Sequence, residues 1–80
     1  MIKTRYIKEI DVLQEIIQQV GFIVVGKNTI TNTLVDMQGN RVVYLPSLNV
    51  VKVVTYSGQE VVCQTLKEVQ QEIRKLVALC

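Results

Sequence analysis

Leu66, Val69, Ile73, Leu76 and Val77 recur at the three-and-four spacing of a single helix face. They stand directly behind Thr65-Leu66-Lys67-Glu68. That Thr-x-x-Glu order is a capping box, in which the first and fourth side chains satisfy one another's backbone N–H groups. The pattern predicts a C-terminal amphipathic helix starting at this point. A helix with one apolar stripe must be covered along it, and the β-branched segments that precede it are the natural cover. The stripe carries no chemistry of its own.

The chain is short for the apolar surface it holds. Its 80 residues form one domain, residues 1–80, near the lower end of what closes a single core. Yet 49% are hydrophobic and the mean hydropathy is +0.28. A small domain cannot hide that much inside itself, so either strands are covered on both faces or another chain covers part of the surface. Self-association is the expectation. The net charge of +2 is too small to argue for nucleic acid or a membrane surface, and the basic residues are spread along the chain. No run approaches the roughly 18 apolar residues of a membrane span. Early Glu9 and Asp11 do not fit a signal peptide. Two cysteines, Cys63 and Cys80, make no disulfide framework and read as free thiols. A cytoplasmic protein is expected.

Along the chain, Ile2, Thr4 and Tyr6 alternate with Lys3 and Arg5 as in a half-buried strand. Asp11 reads as an N-cap, with Gln14 behind it and a stripe of Leu13, Ile16, Ile17 and Val20 that Gly21 ends. Phe22-Ile23-Val24-Val25 is a continuous apolar run, read as a central strand closed by Gly26-Lys27-Asn28. Ile30 to Asp36 and Arg41 to Leu45 form a hairpin about Gln38-Gly39-Asn40, where Gly39 and Asn40 both tolerate positive φ. Pro46 to Asn49 is a connection. Val50 to Tyr56 is a strand with Val50, Val54 and Tyr56 on one side and Val51 and Val53 on the other. Ser57-Gly58 turns the chain into a strand over Gln59 to Gln64. The order is β-α-β-β-β-β-β-α. It predicts an α+β fold, a small and mostly antiparallel sheet of four to six short strands with two helices packed on one face.

Chemistry is hard to place. Histidine is absent, which removes the usual general base, metal ligand and nucleophile partner. Cys63 precedes the capping box and would feel the helix dipole, but an apolar strand favours a buried structural thiol. Asp11, Glu68 and Glu72 have helix-capping or helix-pairing explanations, and Asp36 and Glu60 stand near hairpin ends. The glycines do not form a phosphate-binding pattern. Tyr6 and Arg5 are adjacent in a strand and so point to opposite faces, which weakens a nucleic-acid platform. No catalytic residue, metal or cofactor is expected, and the chain is expected not to be an enzyme.

Two segments carry a resemblance. Ile2-Lys3-Thr4 with Leu13 and Val20-Gly21 is similar to the "IKT…L…LG" opening of a family of conserved hypothetical reading frames of chloroplast and cyanobacterial genomes, the ycf type of unknown function. Thr65 to Gln70 resembles the "TLxEVxQ" helix start of the same group. The resemblance implies an intracellular α+β protein and assigns no functional residue. Val50 to Val77 also resembles small flagellar regulatory proteins, which implies a regulatory binding role.

These readings converge on a non-enzymatic protein–protein interaction module that forms a homo-oligomer or docks on a larger protein. Val51, Val53, Ile73, Leu76 and Val77 are the expected partner-facing residues. The alternative is a nucleic-acid-binding regulator of transcriptional or flagellar type, using Lys3, Arg5, Lys8, Arg74 and Lys75.

Overall fold

A computed structural model describes residues 10–78. The strand expected over Ile2 to Tyr6 lies outside the described residues. Within them, helix α1 (Ile10–Gln18) is followed by five strands and helix α2 (Leu66–Ala78). The strands are β1 (Gly26–Asn28), β2 (Thr33–Val35), β3 (Arg41–Leu45), β4 (Val50–Val54) and β5 (Glu60–Cys63). They lie in chain order as one antiparallel sheet, each paired with its sequence neighbour. The α+β arrangement expected from the sequence is therefore the one observed.

Pairing register decides which face each side chain takes. Leu34, Val42 and Val53 are cross-strand partners on one face, and Tyr44, Val51 and Cys63 are partners on the same face. These six pack with Ile10, Leu13 and Ile17 of α1, with Phe22, and with Val69 and Ile73 of α2 in one buried cluster. Both helices thus cover a single side of the sheet. The opposite side carries Val43, Lys52 and Val62 in one row and Arg41, Val54 and Glu60 in the next.

The helix ends follow the sequence signals closely. Glu68 N–H donates to Thr65 Oγ1 at 3.2 Å, while Glu68 Oε1 accepts from Thr65 N–H at 3.2 Å and from Gln64 N–H at 2.7 Å. The capping box is closed in both directions. At the end of α1, Phe22 N–H bonds Ile17 O at 3.2 Å and Gly21 N–H bonds Gln18 O at 3.1 Å. This is a Schellman motif, and Gly21 supplies its left-handed residue at φ +98°. A Cβ at Gly21 would also stand 3.3 Å from Val77, so the small residue lets α2 approach.

Four expectations are corrected. Asp11 is not an N-cap, because Ile10 before it is already helical and a cap residue is not. Its carboxylate instead accepts from Lys27 Nζ at 2.6 Å, linking α1 to β1. Phe22 to Val25 is not a central strand. Phe22 enters the core while Ile23 is 71% exposed, and the ladder begins only where Val25 N–H meets Val35 O at 2.8 Å. Gly26-Lys27-Asn28, read as the close of that run, is the edge strand itself. The strand expected from Ile30 starts at Thr33, because Asn28 Oδ1 accepts from Ile30 and Thr31 N–H and Asn32 takes φ +53°.

Candidate functional site

One end of the sheet gathers two turns, and a buried asparagine joins them. In the β2–β3 turn, Gly39 at φ +91° allows Asp36 N–H to reach Asn40 O at 3.1 Å. Asn40 tolerates a positive φ but does not take one here. Its side chain is buried: Nδ2 donates to Asp36 Oδ2 at 2.8 Å, and Oδ1 accepts Tyr56 N–H at 2.9 Å from the β4–β5 turn. Asp36 Oδ1 also accepts Asn40 N–H at 2.8 Å. Each polar atom so held is satisfied, so the network fixes the turns without a desolvation penalty.

The β2–β3 turn, the start of the Phe22–Val25 segment and the end of α2 line an apolar groove of about 350 Å³. Phe22, Ile23, Met37, Leu76 and Val77 line it, and Gly21 forms its floor beside Val77. Met37 is 85% exposed, and Tyr56 stands at an adjoining depression that shares Gln38 and Leu76. Large apolar side chains around one concavity form the kind of surface that marks an interaction site.

Of the expected partner-facing residues, only Leu76 and Val77 reach this groove, where both are half-buried. Val51, Val53 and Ile73 are corrected to core residues. The cause is the helix layer: Val51 and Val53 lie on the sheet face that α1 and α2 cover, and Ile73 is central in the α2 stripe that covers it. Sequence reasoning missed Ile23 and Met37. A methionine inside the otherwise polar turn Asp36 to Asn40 was the available signal, since a turn tip cannot be buried without leaving backbone groups unpaired.

The remaining candidates are separate. Cys63 is buried at the end of β5, and burial pushes its thiol above the ordinary value. The carboxylates of Glu72 and Glu68 push the same way, while Lys75 opposes them. A thiol held in its protonated form is a poor nucleophile and ligand. Among the described residues no three His, Cys, Asp or Glu side chains come together to hold a metal ion. No helix among them is long and apolar enough to cross a membrane. Arg74 and Lys75 are exposed on α2, with Lys75 Nζ 3.0 Å from Glu72 Oε2. Lys3, Arg5 and Lys8 lie outside the described residues.

Comparison with protein-family models, with curated proteins and with solved structures found no match for this chain.

Proposed function

We propose that the chain is a non-enzymatic protein-interaction module of the cytoplasm that associates with copies of itself. The observation that carries this reading is the exposed apolar surface at the turn end of the sheet, where Ile23 and Met37 flank a groove also lined by half-buried Val77, and Tyr56 stands at the adjoining depression. A helical or extended segment would remove those side chains from water at roughly 25 cal/mol per Å². The protonated, buried Cys63 fits a packing role in a reducing compartment better than a catalytic one. Sedimentation equilibrium at micromolar concentration should return a mass above the 9.1 kDa of one chain. A single-chain mass at every concentration, into the high micromolar range, would overturn the reading.

A further inference from the structure

We propose that β5 is the dimerisation edge, pairing antiparallel with β5 of a second copy to continue the sheet; the inference rests on the self-association reading above. β5 is hydrogen-bonded to β4 on one side, and no described strand pairs with the other. Thr55 N–H reaches Gln59 O at 2.8 Å across the β4–β5 turn. Antiparallel ladders alternate direction residue by residue. Val61 and Cys63 therefore turn their backbone groups toward β4, and Glu60 and Val62 turn theirs outward. Tyr56, of the alternate set in β4's continuation, points the other way to Asn40, as this phase requires.

Edge strands in monomeric proteins are usually guarded by lysine, proline or a bulge. β5 has Glu60 alone, and that carboxylate is held by Lys52 at 3.2 Å. Its two central residues are valines on opposite faces, Val61 37% and Val62 54% exposed. A two-fold axis normal to the sheet and passing beside Val61 would bring Val61 against Val61 of the second copy and pair the outward N–H and C=O groups of Glu60 with those of Val62 across the seam.

The helices fit the same operation. α2 lies over β4 and β5 on the covered face. Strands stand about 4.8 Å apart, so an axis above the β4–β5 midline comes about 10 Å from its two-fold mate, a normal helix–helix distance. The flank of α2 on the β5 side is the one whose charges act on Cys63: Glu68, Glu72 and Lys75. Val77 on the opposite flank meets Gly21 at the end of α1. Two such helices run antiparallel across the axis, which sets Glu68 near Lys75 of the second copy and Lys75 near its Glu68. Glu72, close to the axis, is already paired with Lys75. The surface is complementary to itself in backbone, apolar contact and charge.

Val62→Pro tests this directly, because it removes an outward N–H and leaves the bonds to β4 in place. Sedimentation of the wild type should give twice 9.1 kDa, and the folded variant, checked by circular dichroism, should fall to 9.1 kDa. A folded variant that keeps the doubled mass overturns the β5 edge while leaving self-association intact. A wild type that is single at every concentration overturns both. If the proline variant does not fold, amide exchange on the wild type decides. Val62 N–H should be protected at high concentration and exchange freely on dilution, and free exchange at every concentration overturns the proposal.

Discussion

The two edges of this sheet are built from opposite materials. β1 is Gly26-Lys27-Asn28, with two poor strand formers around a lysine and no apolar side chain. β5 is Glu60-Val61-Val62-Cys63, compact and β-branched. They are also held differently. β5 passes through two residues into a capped helix whose Val69 and Ile73 are sunk in the core over β4 and β5. β1 leans on β2 and on one ion pair, Lys27 with Asp11, whose side chains are 38% and 73% exposed. The firmly held edge is the one that lacks protection against pairing, and the loosely held edge is the protected one. A template for another strand must be rigid to be useful, since every residue ordered on binding subtracts from the gain.

The greatest loss is expected where β5 is secured. Ile73→Ala removes a fully buried side chain between α2 and the sheet and should lower the unfolding free energy by about 2–5 kcal/mol. For a domain of this size that is a large share of the total, so the urea midpoint should fall steeply with the slope little changed. A loss of a few tenths would mean that α2 is not what holds β5. Thr65→Ala is milder. It removes the hydroxyl that accepts Glu68 N–H but leaves Glu68 Oε1 on the Gln64 and Thr65 amides. The cost should be about 1 kcal/mol, and Thr65→Asp should restore most of it because aspartate also caps. An alanine variant as stable as the wild type in urea would show that the carboxylate half of the box suffices.

The α2 side of the comparison was legible in the sequence and the β1 side was not, for a physical reason. A capping box followed by a stripe is local, so Thr65 and Glu68 find each other whatever the rest of the chain does. Gly21 and the Pro46–Asn49 connection are local in the same way. Phe22 to Val25 is not. A continuous apolar run suits a central strand as well as an extended segment with one anchor, and only the final strand order separates them. Among the described residues the sheet stops at β1, leaving Ile23 and Val25 at the surface. Asn40 was legible as part of a turn, but not in its further role, for a related reason. Its composition marked a turn, but its task is to accept Tyr56 N–H from a turn sixteen residues away, which no local pattern encodes. The partner-facing residues divide along the same line. Val51 and Val53 alternate correctly, yet alternation alone does not say which face the helices cover.

The smallest effect should come from the tie that holds β1. Asp11→Ala opens the Lys27 pair, and with both side chains substantially exposed the cost should be about 0.2–1 kcal/mol. Exposed charges are screened over about 10 Å at 0.1 M salt, so the difference between wild type and variant should shrink further as salt is raised. Global unfolding will therefore barely register the change, and amide exchange is the sensitive measurement. Val25 N–H, bonded to Val35 O, and the Gly26 and Asn28 amides that turn toward β2 should exchange faster in the variant, through local opening, while Val53 and Ile73 keep their protection. If Val53 and Ile73 lose protection together with β1, the two edges open as one unit. The sheet would then have no loose edge, and the rigidity assigned to β5 would belong to the whole domain.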